Sequence, residues 1–200
     1  MKVIVERSDL LKAMSRAQSI VERRTTIPIL SNVLIEATGD KISLRTTDLD
    51  IEVVEKVNAK IEKDGNTTVG AHTLHDIVRK LPDGASIQLN VDQVSSRLEV
   101  KAGRSRFSLA TLPREDFPIM ASSEYDSNFL IAPEVLHRLF EKSKFAMSTE
   151  ETRYYLNGVY FHTVKSDDKN ILKTVSTDGH RLAKNELEIS SSVDIQGIIM

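Results

Sequence analysis

The chain contains no cysteine and no tryptophan. The first absence excludes a disulfide framework, a thiol nucleophile and any Cys-ligated zinc or iron–sulfur site, and it fits a reducing compartment. Glycine (8 residues) and proline (5 residues) are sparse among 200, too few for a collagenous or low-complexity chain. No run of 18 apolar residues and no basic leader before an apolar stretch occurs, so neither a membrane span nor a secretory signal is expected, and a cytoplasmic protein is. A bulk positive charge is missing as well. The formal net charge is −2, so any nucleic-acid surface has to be local. What remains, 40% hydrophobic and 28% charged residues, is an ordinary globular composition with length for one large domain or two small ones.

The charge is unevenly placed. Lys and Arg outnumber Asp and Glu by 6 to 3 in residues 1–24, but stand at 12 to 16 in 25–127 and 9 to 10 in 128–200. In that basic segment Leu10, Leu11, Met14, Ala17 and Val21 recur at helical spacing, while Lys12, Arg16, Ser19 and Arg23 fall on the opposite face. Ser8 is the expected N-cap, with Asp9 meeting the positive end of the helix dipole. Such a stripe is, taken alone, the solvated face of a surface helix.

An internal repeat gives it more meaning. At a shift of 126 residues, Val3-Ile4-Val5 falls on Phe129-Leu130-Ile131, Leu10 on Leu136, Lys12 on Arg138 and Arg16 on Lys142. Leu30 to Ile35 falls on Leu156 to Phe161, and after four extra residues Thr47-Asp48 falls on Thr177-Asp178. Each unit therefore reads as a strand, an amphipathic helix with a basic outer stripe, and several strands. Recurrence of the basic positions points to one positively charged surface built from equivalent helices.

In the first unit, strands are expected near 31–38, 41–47 and 50–57, a turn at Gly65-Asn66 and a short strand from Thr67 to Gly70. Leu74, Ile77, Val78 and Leu81 carry a second helix, ended by Pro82-Asp83-Gly84. Alternation at Ile87, Leu89 and Val91, at Leu98 and Val100, and at Phe107 and Leu109 gives half-buried antiparallel strands. The composition of 113–127 is that of an interdomain linker. The expected domains are thus 1–120 and a truncated 128–200. The second helix and last three strands of the second unit have no counterpart here, and the expectation is a fragment of a longer protein or a chain completed by another subunit.

Together with this repeat, Arg24-Thr25-Thr26-Ile27-Pro28-Ile29-Leu30, Gly103-Arg104-Ser105-Arg106-Phe107-Ser108-Leu109, Arg153-Tyr154-Tyr155-Leu156-Asn157-Gly158 and Thr177-Asp178-Gly179-His180-Arg181-Leu182 resemble the bacterial DNA polymerase III beta sliding clamp over essentially all 200 residues. The resemblance implies an α+β DNA-clamp fold: repeated domains with antiparallel sheets outside and two helices per domain lining a ring interior, closed as a head-to-tail homodimer when full length. It implies a non-catalytic processivity factor without cofactors or metal. The ring would hold duplex DNA and tether the polymerase III catalytic subunit, the clamp loader, repair polymerases, mismatch-repair proteins and ligase. A clamp that slides meets phosphates through mobile cations, because backbone contacts carry no sequence information. Lys12, Arg16, Arg138 and Lys142 have that character, and the resemblance adds Arg24 and a pair, Tyr154 and Tyr155, that stacks on single-stranded bases. Glu150 stands where the family carries glutamine, a carboxylate that repels DNA. His72-Thr73 stands where it can show basic residues. A pocket for an extended partner peptide is implied at Leu156, Thr177, Gly179, His180, Arg181 and Leu182. A subunit interface is implied at Arg104, Arg106, Phe107 and Leu109.

Bare spacing allows other readings. One ring of Tyr154 and Tyr155 would sit in the core at the start of a strand, Phe107 would be a core residue, and Asp178-Gly179 an ordinary turn. Asp178 with His180 as base and orienter, or His72-x-x-His75-Asp76 as a metal cluster, would make an enzyme, but the spacings are non-diagnostic and no nucleophile elbow or phosphate loop occurs. His75-Asp76 reads more simply as a solvated helix face. A protein-binding adaptor that does not encircle DNA accounts for the pocket and leaves the duplicated basic stripe unexplained.

Overall fold

A computed structural model describes residues 1–22, 25–92, 96–120, 128–166, 169–190 and 194–200. The chain divides into two compact units, Met1–Ala121 and Ser122–Met200. In the first, β1 (Lys2–Glu6) runs straight into α1 (Arg7–Ala17), followed by β2 (Asn32–Thr38), β3 (Lys41–Thr47), β4 (Glu52–Asn58), β5 (Lys60–Lys63), β6 (Gly65–Gly70), α2 (Ala71–Lys80), β7 (Ser86–Asp92), β8 (Arg97–Ala102) and β9 (Ser105–Leu112). All strand pairs are antiparallel, in the order β4-β3-β2-β6-β9-β8-β7-β1-β5.

The core of this unit lies between the sheet and the two helices. Leu10, Ala13 and Met14 of α1 and Leu74 and Val78 of α2 pack with Val3, Val33, Ile35, Ile42, Leu44, Ile87, Leu89, Leu98 and Val100. Leu10, Met14, Leu44 and Leu74 have no exposed surface, and each contributes about 1.5–3 kcal/mol by leaving water. The end of α1 is satisfied from the sheet, where Thr46 Oγ1 donates to Ala17 O at 2.7 Å.

Several expectations are corrected. Ser8 does not cap α1: Glu6 stands at the N-cap without a side-chain bond, and Ser8 lies inside the first turn. Because the helix leaves β1 without a loop, its first N–H, that of Arg7, donates to Ala85 O at 2.9 Å. Gly65 and Asn66 are no turn; they pair with Ala37 and Glu36 as the start of β6. Gly65 adopts φ +150 with the Met1 backbone nitrogen 3.2 Å from where a Cβ would stand. His75 is buried, not solvated, with Nε2 3.3 Å from Ser15 Oγ across the α1–α2 contact. Burial lowers its pKa, a larger effect than the raising influence of Asp76. His72 has both ring nitrogens engaged, Nδ1 at 2.9 Å from Gln18 Oε1 and Nε2 at 2.9 Å from Val21 O. Among the described residues no group of three or more His, Asp or Glu could hold a metal ion.

The second unit has α3 (Pro133–Glu141), β10 (Tyr160–Ser166), β11 (Lys169–Thr177), β12 (Leu182–Ile189) and β13 (Ile198–Ile199), in the sheet order β12-β11-β10-β13. This repeats β4-β3-β2-β6, as the sequence shift requires. Its core joins Leu139, Phe161 and Leu172, with Phe140 stacked on Phe161 at 5.9 Å between centroids. Phe129 to Ile131, expected as a strand, is not one. β1 is hydrogen-bonded on one side to β7 and on the other to β5, and no described strand takes the place of β7 beside 129–131. The alternation survives without the ladder: Phe129 and Ile131 pack on the core, and Leu130 is fully exposed.

Residues 113–120 pack on the first unit. Arg114 pairs with Glu36 at 3.3 Å, Phe117 is buried with Ile29, Leu30 and Leu34, and Met120 N donates to Glu52 Oε2 at 3.3 Å. The remainder of the expected linker, 121–127, lies outside the described residues. Among the described residues no helix is long and apolar enough to cross a membrane.

Candidate nucleic-acid face and peptide-binding turn

The basic positions begin with α1. Its buried stripe turns Lys12 and Arg16 outward, and both are exposed. Their chemistry differs. Arg16 grips Glu55 of β4 with two hydrogen bonds, Nε to Oε1 at 2.5 Å and Nη2 to Oε2 at 2.7 Å. This bidentate pair raises the arginine pKa and lowers that of Glu55. Lys12 forms no ion pair among the described residues. In the second unit Arg138 and Lys142, at the end of α3, are exposed and likewise outside the described ion pairs, while Glu141 is taken by Lys144. Arg24, and Arg23 beside it, lie outside the described residues.

Tyr154 and Tyr155 do not open a strand. They lie in a 3-10 segment, Glu151–Leu156, kinked at Arg153 (φ −112, ψ 48). Neither ring is in the core: they are 78% and 56% exposed, edge to face with centroids 5.7 Å apart. Both therefore present free π-surface, which is what stacking on a base requires. Glu150 is partly offset by Arg153, whose Nε lies 3.2 Å from Oε2.

The motif Thr177 to Leu182 folds as a tight turn between β11 and β12. Asp178 Oδ1 accepts the backbone N–H groups of His180 and Arg181, each at 2.9 Å, and Oδ2 accepts Arg181 Nε at 2.8 Å. These bonds, the backbone ones first, hold the Asp178 pKa down at about 2. The carboxylate thus shapes the loop, and it meets the backbone of His180 instead of its imidazole, so the two do not form a base–orienter pair. Thr177 Oγ1 accepts Gly179 N at 3.1 Å and donates to Arg181 O at 2.7 Å. Gly179 adopts φ +90, a left-handed conformation that glycine takes without strain. The turn leaves His180, Arg181 and Leu182 exposed, Leu182 at 65%, with the Arg181 guanidinium 5.9 Å over the Phe145 ring. Leu156 is half-buried, its carbonyl accepting Ser148 N at 3.0 Å. Arg153 Nη1 lies 3.5 Å from Asp178 O, which joins the tyrosine segment to the turn. Sequence reasoning missed Phe145 and Arg153 as members of this surface. Phe145 carried no motif, and its 58% exposure is the only mark that separates it from a core aromatic.

At the first unit's edge, β9 pairs along Ser105–Ala110 with β8, but it reaches β6 only at Thr111 and Leu112. The other edge of 105–110 has no ladder among the described residues. Phe107 stands opposite Val100 yet is 37% exposed, and Leu109 stands half-buried opposite Leu98. Phe107 therefore belongs to an open edge and not to the core. Arg106 Nε pairs with Glu99 at 2.8 Å, and Arg104 is exposed in the hairpin turn. Phe107 and Ser105 line a groove with Thr73, Ile77, Leu81 and Pro82 around α2.

Two repeats of one α+β unit, each with an exposed basic helix face and an Asx turn, are the arrangement the resemblance to the clamp class of DNA-replication proteins calls for. Comparison with known proteins specifies the family: residues 1–121 match the N-terminal domain and residues 130–200 the central domain of the DNA polymerase III beta subunit. The chain belongs to that family. It is 50% identical over its whole length to the beta sliding clamp of Caulobacter vibrioides, covering 54% of that protein, and 39% identical to that of Escherichia coli, covering 53%. It superposes on the solved Caulobacter crescentus pol III beta with a TM-score of 0.94, covering 100% of this chain and 54% of that one. On a Bartonella birtlesii sliding clamp solved bound to griselimycin the TM-score is 0.93 at 46% identity, covering 100% of this chain and 53% of that one. The chain spans about half the length of the curated relatives it matches.

Proposed function

We propose that this chain supplies the first domain and part of the central domain of a sliding clamp subunit, which closes with the remaining domains and a second subunit into a ring around duplex DNA. The observation that carries this reading is the recurrence of exposed cations at matched positions of α1 and α3, on two copies of one fold. Lys12, Arg138 and Lys142 meet phosphates directly, with Arg16 held back by Glu55; Arg24 is a further contact by family resemblance. Tyr154 and Tyr155 stack on exposed bases. The role is mechanical and non-catalytic, in the cytoplasm: the ring holds the polymerase III catalytic subunit, the clamp loader and repair proteins to DNA.

Partners dock through an extended peptide on Leu156, Thr177, Gly179, His180, Arg181 and Leu182, apolar anchors meeting Leu156 and Leu182 inside a polar rim. The open edge of β9, with Arg104, Arg106, Phe107 and Leu109, joins the partner subunit by adding a strand. Residues 113–127, of which 113–120 are held on the first domain, join the two domains. Duplex binding followed by fluorescence anisotropy tests the reading: affinity falls linearly on logarithmic axes as salt rises, equally for unrelated sequences. A flat salt response would favour an adaptor that does not hold DNA.

A further inference from the structure

The turn of the second unit has a copy in the first, and the copy is the more acidic, with Asp50 where the second carries His180. Between β3 and β4, Thr47 Oγ1 accepts Leu49 N at 3.0 Å, and Asp48 Oδ1 accepts the N–H groups of Asp50 at 3.0 Å and Ile51 at 2.7 Å. The same three bonds close the turn at Thr177–Arg181, at 3.1, 2.9 and 2.9 Å. Leu49 takes the place of Gly179, with φ +83 against +90. A leucine held in that left-handed conformation is strained, because its Cβ crowds the following carbonyl. Glycine serves the geometry in the second unit, so leucine in the first is kept for its side chain and not for the turn.

That side chain is 50% exposed, as are Ile51 at 54% and Met120 at 43%, with Met120 N anchored on Glu52 next to Ile51. Leu30, the counterpart of Leu156, is already covered by Phe117, so the apolar surface in this unit is shifted outward onto Leu49 and Ile51. Asp50 replaces His180 and is exposed.

We propose that Leu49, Asp50, Ile51 and Met120 form a second docking surface, for an extended segment of a partner protein that carries alternating apolar residues beside a lysine or arginine. Charge separates it from the second unit's turn, where His180 stands in place of Asp50 and Arg181 is exposed but paired with Asp178, so that no free carboxylate opposes an acidic flank. The proposal rests on reading Thr177–Leu182 as a peptide-docking turn, and charge-reversed probes keep the two distinguishable.

The test titrates the isotope-labelled chain with two blocked tetrapeptides, Lys-Leu-Ser-Leu and Glu-Leu-Ser-Leu, to about 5 mM, above the roughly 1 mM dissociation constant of a weak contact. The lysine peptide moves the amide signals of residues 48–54 and 119–120, and Leu49→Gly abolishes those changes while leaving Tm unchanged or higher. Asp50→Lys transfers the preference to the glutamate peptide. The proposal is overturned if the lysine peptide moves no signal in 48–54, or if Leu49→Gly binds it as well as the parent chain. Movement at 177–182 alone, with the glutamate peptide, would overturn this proposal and uphold the second unit's turn. Silence of both peptides at both turns would overturn both.

Discussion

Replacing Lys12, Arg16 and Glu55 in turn separates a cation that meets phosphate from one that is held back. Each phosphate neutralised by a protein cation contributes about −0.9 to the slope of log K against log salt for duplex DNA. Lys12 is exposed and outside every described ion pair, so Lys12→Ala makes the slope shallower by about 0.9. Arg16 is gripped at 2.5 and 2.7 Å by Glu55, so its charge is compensated inside the protein before DNA arrives. Glu55→Gln releases it and makes the slope steeper by about 0.9, so that affinity falls about 3.5-fold more than the parent's between about 50 and 200 mM salt. Arg16→Ala combined with Glu55→Gln returns the slope to that of the parent. The fold tolerates these changes, because a partly exposed surface pair is worth about 0–1 kcal/mol. Anisotropy of a labelled short duplex, with circular dichroism as the folding control, gives each slope. An unchanged slope for Glu55→Gln in a chain that still binds DNA would refute the claim that Glu55 restrains Arg16.

Phe117→Ala detaches 113–120 from Ile29, Leu30 and Leu34 and costs about 3 kcal/mol, measured by urea unfolding; a loss near zero would show that the segment is not anchored there. Burial depresses the His75 pKa, so its contribution to stability is present above the usual value of about 6.5 and lost as pH falls through the folded value. His75→Gln therefore flattens the change in Tm between about pH 7 and 5, and an equally steep profile in the variant would contradict the assignment. The depressed Asp178 pKa gives the turn a stability that is present above the ordinary 3.8 and lost as pH falls through about 2. The amide shifts of Gly179, His180 and Arg181 should report that midpoint together, and a midpoint near 4 would show that the Asp178 bonds are not made in solution.

The repeat was readable because apolar spacing and basic positions recur at one shift, and the matching sheet orders β4-β3-β2-β6 and β12-β11-β10-β13 are its result. What escaped the sequence was decided by contacts distant along the chain. β5 is four residues, Lys-Ile-Glu-Lys, too short for alternation to declare, and it exists because β1 offers an edge. Phe129 to Ile131 shows the converse, with strand-like alternation and no ladder. The repeat placed Thr47-Asp48 on Thr177-Asp178, but Leu49 in place of Gly179 hid the shared turn conformation, which the hydrogen bonds reveal. Arg16 looked like Lys12 on a helical wheel, and Glu55, 39 residues away, is what distinguishes them.

On the function proposed above, the exposed faces of α1 and α3 hold duplex DNA without reading its sequence. Amide chemical-shift mapping of this chain with two short duplexes of unrelated sequence tests it most directly. The same changes are expected with both, concentrated around Lys12, Arg138 and Lys142 and absent from the β3–β4 surface at Ser43. Changes that differ between the two sequences, or that fall on the sheet and leave both helices untouched, would contradict it.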